Sequence, residues 1–179
     1  MNIMPEEKKE STAWEIIKVI IISLLIVIPI RTWIAQPFIV EGASMEPNFH
    51  NGEYLIIDEL SYAFGAPKRG EVIIFRYPLQ PSEFFIKRII GLPGETVEIK
   101  TGQVFVNDAV VPEQYLPKNL QTGPDKTVQL EDNQYFVMGD NRTASSDSRV
   151  WGPLPKKNIT GRVFLRLWPI AKAGIVPTY

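Results

Sequence analysis

Apolar residues are arranged along this chain in two different ways, and the change falls near residue 36. Residues 1–13 are polar and mixed in charge. From Trp14 to Ala35 the chain is apolar almost throughout, with no charge between Lys18 and Arg31. That stretch holds about 20 residues, and about 20 helical residues cross a bilayer core of roughly 30 Å. After Gln36-Pro37 the apolar positions break into short runs separated by turn signals: 53–58, 71–77, 84–90, 96–99, 103–106, 109–111, 134–139 and 162–170. Val, Ile, Phe and Tyr dominate these runs, so each predicts a strand. Asn107-Asp108 predicts a two-residue hairpin and Leu92-Pro93-Gly94 a turn. Residues 155–158 suit a short helical turn. Residues 112–125 carry no periodic pattern and predict a long loop or surface excursion. The expected fold is mainly β, an antiparallel barrel or packed sheets over 36–179, tethered by one N-terminal helix over 14–35.

Three readings of residues 14–35 compete. A buried soluble helix needs a core around it, and the rest of the chain is strand-rich. A cleavable leader needs small residues before the cut, whereas Trp33 would stand at the −3 position of a cut after Ala35. An uncleaved membrane anchor fits best: Lys18 and Arg31 lie near the two ends, where long cations reach the headgroups, and Trp14 and Trp33 lie where interfacial aromatics are expected. Lys8, Lys9 and Lys18 precede or open the span and only Arg31 follows closely. The positive-inside rule then places residues 1–13 in the cytoplasm and residues 36–179 outside it, with membrane lipid as a partner.

Composition narrows the chemistry. Hydrophobic residues make up 45% and charged residues 22%, enough for a packed core. Net charge is −1 and the cations form no stripe, which disfavours nucleic acid as a partner. No cysteine is present, so disulfides, thiolate metal sites and a thiol nucleophile are all excluded. The single histidine, His50, cannot build a multi-histidine metal site, and no cofactor or metal is expected. A Ser-His-Asp triad would have to use His50, six residues from Ser44; it is read as a surface residue.

Three segments stand out. In 38–55, Ser44 lies between Gly42-Ala43 and Met45-Glu46-Pro47. Small residues let a substrate backbone approach, and Gly and Pro define a turn that presents a hydroxyl; an ordinary turn serine has the same surroundings. In 84–95, Lys87 interrupts an apolar strand, and by alternation its same-face neighbours are Phe85 and Ile89. A lysine on such a face loses hydration, and its pKa falls. Reaching pH 7–8 from about 10.4 takes roughly 4 kcal/mol of differential destabilisation. The competing reading makes Lys87 or Arg88 a solvated guard at a sheet edge. In 138–152, Asp140, Asn141, Arg142, Ser145, Ser146, Asp147, Ser148 and Arg149 crowd together between apolar flanks. That is either a polar surface loop or a loop pinned by an internal hydrogen-bond network.

Taken in order, these segments resemble type I signal peptidases, also called leader peptidases. The apolar N-terminal stretch is followed by Gly42-Ala43-Ser44-Met45-Glu46-Pro47, then Gly52-Glu53-Tyr54-Leu55, then Lys87 through Gly94, then Gly139 through Arg149. The match covers nearly all of the chain from Phe38. A single anchor and a compact β region are most similar to the Gram-positive, cyanobacterial or organellar branch. The resemblance implies a serine–lysine dyad, with Ser44 as nucleophile and neutral Lys87 as general base. It implies that Ser145 orients the lysine, that Asp147 and Arg149 form a supporting ion pair, and that Asp140, Asn141 and Arg142 are structural. The oxyanion would be held by the Ser44 backbone N–H and a second donor. Where some members have a serine two residues before the nucleophile, this chain has Gly42, whose backbone N–H is the expected replacement. Val40, Met45, Phe49, Phe85 and Ile86 match the substrate pocket, which would admit small residues at the −1 and −3 positions of a signal peptide. Asn48-Phe49 departs from the common Thr-Leu.

The implied activity is release of secretory preproteins at the outer face of a plasma or thylakoid-type membrane, with the protein translocation machinery as a further partner. Two other readings compete with it. A self-cleaving repressor of related Ser-Lys chemistry lacks reason for an anchor. An inactive anchored peptide-binding or scaffold protein would hold a preprotein without cutting it.

Overall fold

The computed structural model describes residues 12–29 and 36–179. Helix α1, Thr12–Pro29, takes up most of the apolar N-terminal stretch. Its described side chains are exposed, Ile16 through Ile22 and Leu24-Leu25 included. A helix buried in this chain's own core would not show such exposure over its described residues. Among the described residues no helix is long and apolar enough to cross a membrane. The expected span continues to Ala35, and residues 30–35, like the tail 1–11, lie outside the described residues.

The β region is two antiparallel sheets. The larger contains β1 (Gln36–Ile39), β2 (Tyr54–Asp58), β3 (Val72–Tyr77), β4 (Gln80–Gly91), β9 (Gln134–Met138), β10 (Leu154–Pro155), β11 (Ile159–Trp168) and β12 (Gly174–Ile175). Its order is β1-β2-β11-β3-β4-β9-β10, with β12 on β11. The smaller contains β5 (Thr96–Lys100), β6 (Gln103–Val106), β7 (Ala109–Val110) and β8 (Lys126–Gln129) in the order β7-β6-β5-β8. The order of the larger sheet is open, from β1 at one end to β10 at the other, so the strands are packed sheets and not a closed barrel.

Alternation explains where the core lies. Val72 and Ile74 of β3 enter one buried cluster with Val40, Met45, Phe49, Leu55 and Ile86. Ile73 and Phe75 point the other way, into a cluster with Ile89 and Val137 that Phe85 packs against. The central strands are therefore covered on both faces, which is why their sequences read as unbroken apolar runs. Asn107 and Asp108 both have left-handed φ, 48° and 65°, as a tight hairpin requires. Lys156–Asn158 forms the expected helical turn.

Several elements differ from expectation, the two-residue strands β10 and β12 among them. β1 contains Pro37, which a strand tolerates at a sheet edge. β8 is polar and half-exposed, so it carries no apolar signal. A short helix, α2 (Leu60–Phe64), follows β2. A second, α3 (Ser148–Trp151), arises inside the polar segment and is capped by Asp147. Residues 112–125 are irregular as expected, but they are not a free excursion. Tyr115 and Thr122 are buried, and several of their neighbours bind the polar segment.

Candidate active site

Ser44 sits in the loop between β1 and β2. The loop is closed at its base by Val40 N–H donating to Glu53 O and Gly52 N–H donating to Val40 O, both at 2.9 Å. Within it, Asn48 and Phe49 N–H both donate to Met45 O, which makes a tight turn. Met45 and Phe49 fill the core beneath, 1% and 2% exposed, and so pin the turn that presents Ser44. Gly42 has φ +83°, a conformation that L side chains rarely adopt.

Lys87 reaches the same point from β4. It is 4% exposed, and its Nζ lies 2.8 Å from both Ser44 Oγ and Ile86 O. Burial pushes its ammonium down to about 8, against the opposing pull of Asp147 and Asp140. Arg88, the next residue, is 1% exposed and grips Asp140 through Nε and Nη2 at 2.9 and 2.7 Å. Neither cation is a solvated edge guard: on a strand covered on both faces, each must find a partner inside.

The polar segment 139–149 is the clamp around this pair. Asn141 N–H donates to Ser44 O at 3.0 Å and its Nδ2 donates to Ala43 O at 3.2 Å. Gly139 is needed for this approach, because a Cβ there would lie 2.2 Å from Ser145 Oγ and 2.3 Å from Ser44 O. Arg149 binds Asp147 through Nε and Nη2, each at 2.8 Å. Burial pushes the Asp147 carboxyl up, but Arg149, the Gly139 N–H and Ser145 together hold it below the usual range. Arg142 binds Glu113 and the Gly139 carbonyl. The segment is pinned by its own hydrogen bonds, and the alternative of a loose surface loop fails.

Two expected roles come out differently. Ser145 Oγ is buried without a hydrogen bond of normal geometry, and Lys87 is held by Ser44 and Ile86 O instead. Ser145 lies near enough to help lower Asp147, and it abuts Gly139. The Gly42 N–H donates to Asn51 Oδ1 at 2.9 Å, so it is not open to an oxyanion. His50 is half-exposed and lies 3.6 Å from Glu46, outside any triad.

A cleft of about 810 Å³ runs past Ser44 and Lys87. Val40, Phe85 and Ile86 line it as expected, whereas Met45 and Phe49 lie in the core and do not. Phe38, Leu55, Ile74, Ala144 and Ser146 also line it; Leu55 and Ser146 stand in segments the sequence singled out, but none of the five was assigned to the pocket. Phe38 was hidden because β1 itself was. Its walls are strand edges. Among the described residues β1 ends the sheet order, and β4 pairs with β9 only from Arg88 onward, so residues 83–87 have no strand partner on that side. The partners of Asn48 and Glu113 were likewise missed, since nothing in local spacing marks a contact 29 to 92 residues away, and so was the contact of Asn51 with Gly42, nine residues back in the same loop.

These two walls, with a hydroxyl and an amine between them, have known relatives. The family model "Signal peptidase, peptidase S26" matches residues 13–168. The chain belongs to the signal peptidase family. A probable signal peptidase I-2 of Synechocystis is 38% identical over 96% of this chain and 80% of its own. A signal peptidase I P of Bacillus subtilis subsp. natto is 36% identical over 92% of this chain and 94% of its own. Among solved structures, a signal peptidase I from Enterococcus faecalis V583 superposes with a TM-score of 0.50 at 31% identity, covering 55% of this chain and 97% of that one. Membership in a signal peptidase family makes the chain a peptidase, a hydrolase of peptide bonds. The relatives include cyanobacterial and Bacillus proteins, in line with the branch the sequence resembles.

Proposed function

We propose that this signal peptidase is a membrane-anchored serine endopeptidase that cuts secretory preproteins after an Ala-x-Ala-type site. Ser44 is the nucleophile and Lys87 the general base. The observation that carries the reading is the 2.8 Å approach of Lys87 Nζ to Ser44 Oγ at a buried site where the lysine is pushed down to about 8.

Neutral Lys87 takes the Ser44 proton as Oγ attacks the scissile carbonyl carbon. Collapse of the tetrahedral adduct breaks the C–N bond, and Lys87 returns the proton to the leaving amine. Water then attacks the ester, giving a proton to Lys87, which returns it to Ser44 Oγ as the acid leaves. The Ser44 N–H holds the oxyanion, and Gly42 serves the loop's shape instead.

Two strand edges that are unpaired among the described residues and face one cleft suit an extended peptide added between them. Residues at −1 and −3 then point to one side, toward Val40, Leu55, Ile74 and Ile86, where only small side chains fit. Helix α1, apolar and exposed along its described length, supports an anchor over 14–35; the excess of Lys8, Lys9 and Lys18 over Arg31 is what supports a β region outside the cytoplasm. The anchor places the cleft at the surface where a signal peptide emerges, and contact with the translocation machinery follows from that placement.

The test is cleavage by the full-length protein in detergent or liposomes, using a preprotein whose signal peptide ends in Ala-x-Ala. Wild type should cut after the −1 Ala, and folded Ser44→Ala and Lys87→Ala proteins should not. A preprotein bound but uncut by wild type would instead mark a binding or scaffold protein.

A further inference from the structure

Asn48 follows Met45-Glu46-Pro47 in the nucleophile loop, and it does not line the cleft. It is half-buried behind the nucleophile loop. Its Nδ2 donates to Asp140 Oδ2 at 2.8 Å and to Tyr115 O at 2.9 Å. Its own carbonyl accepts from Arg166 Nη2 at 2.6 Å. Asp140 is at the same time the partner of Arg88, with both side chains sealed from solvent at 0% and 1% exposure. Arg88 is covalently next to Lys87.

These contacts close a ring. From Ser44 the loop leads four residues on to Asn48, across a hydrogen bond to Asp140, across an ion pair to Arg88, and by one peptide unit to Lys87. The ring returns to Ser44 through the Lys87 Nζ contact. We infer that Asn48 is a positioning residue for this peptidase, holding the loop that carries Ser44 in register with the strand that carries Lys87. The inference rests on the dyad reading above and adds the device that sets the dyad's spacing. An amide donating to a buried carboxylate makes one of the stronger hydrogen bonds, and this one acts at the far end of the turn, where a small displacement moves Ser44. A hydroxyl at position 48 would offer one proton, so it replaces one of the two bonds.

The tie also has an electrostatic consequence. The carboxylates acting on Lys87 are Asp147 and Asp140, each neutralised by an arginine, Arg149 and Arg88. Asn48 is the further donor on Asp140. Without it the Asp140 charge acts more strongly on Lys87, favours the ammonium, and moves the onset of activity to higher pH. A loop that is merely loosened would lose activity without that displacement.

The experiment compares full-length wild type, Asn48→Ala and Asn48→Ser in detergent, on a peptide ending its signal region in Ala-x-Ala. It records kcat, KM, the pH profile and the melting temperature. Asn48→Ala should lose about tenfold or more in kcat with KM within about twofold, with the acid limb moved upward and Asn48→Ser falling between. Wild-type kcat in a folded Asn48→Ala protein, or a loss with the limb unmoved, overturns the inference. If Asn48→Ala does not fold, the same two criteria apply to Asn48→Ser. A wild type that cuts nothing overturns the dyad reading beneath it, whereas a cutting wild type beside an unaffected variant overturns this inference alone.

Discussion

Lys87 is costly to the fold, and the cost has a sign that can be measured. In the unfolded chain its amine holds a proton up to about 10.4, but in the folded protein only up to about 8. Between those values the unfolded state binds more protons, so Lys87's contribution to stability rises with pH across that window. Below about 8 the folded protein carries a buried, partly unpaired charge. Lys87→Met keeps the length of the chain and removes the charge. It should abolish cleavage, by about 10⁴-fold or more, yet raise stability at neutral pH by about 1–3 kcal/mol. Denaturant titration of the two proteins at neutral and alkaline pH checks this: the gap should shrink as pH rises. The same residue sets the activity profile, because only neutral lysine accepts the Ser44 proton. Activity should climb about tenfold per pH unit below 8 and level off above it, and a profile flat through that region would remove Lys87 as the base. Among single residues, those legible in the sequence were those whose type conflicts with its surroundings. A lysine in an apolar strand and a serine between Gly-Ala and Met-Glu-Pro are such conflicts. Asn48 and Tyr115 conflict with nothing local, and their roles appear only when distant segments meet.

At the scale of elements, the site is a loop and a strand held together by a polar clamp, with two bare strand edges as walls. The strands that build the core were legible because alternation and unbroken apolar runs follow directly from burial. β1 was not, since Gln36-Pro37 reads as a break and only its edge position permits it. The polar clamp was legible as a cluster but not as a shape, because α3 and the Gly139 approach depend on partners outside it. Gly139→Ala tests the clamp: its Cβ would meet Ser145 Oγ and the Ser44 carbonyl below 2.5 Å, so Ser44 must move. Activity should fall by about 100-fold or more, with a stability loss of about 1–3 kcal/mol from overpacking. The strand edges make a separate prediction about the substrate. A peptide added between two strands turns alternate N–H groups to opposite neighbours, so each one faces a wall. Methylating any single backbone nitrogen from −3 to −1 should weaken binding about tenfold, read as KM or as competition against the unmodified peptide. Tolerance of methylation at all three positions would show that the peptide does not lie as an added strand.

For the whole molecule, the question is what α1 contributes beyond attachment. The catalytic contacts lie within the β region, between residues 40 and 149, and neither Ser44 nor Lys87 depends on a described contact with α1. A protein beginning at Gln36 should therefore still cut a soluble Ala-x-Ala peptide with kcat/KM within about threefold of the full chain. A preprotein whose signal peptide lies in a bilayer is a different substrate. Tethering both partners to one surface replaces a free concentration with an effective one, often in the millimolar range for short linkers. On liposomes carrying the preprotein, the full chain should outpace the shortened one by about 100-fold, and dissolving the liposomes in excess detergent should collapse that ratio toward unity. Equal rates for the two proteins on liposomes would mean that the β region finds the membrane by its own surface and that residues 14–35 do not act as the anchor. A shortened protein inactive on the soluble peptide, though folded, would mean that the N-terminal segment shapes the cleft itself.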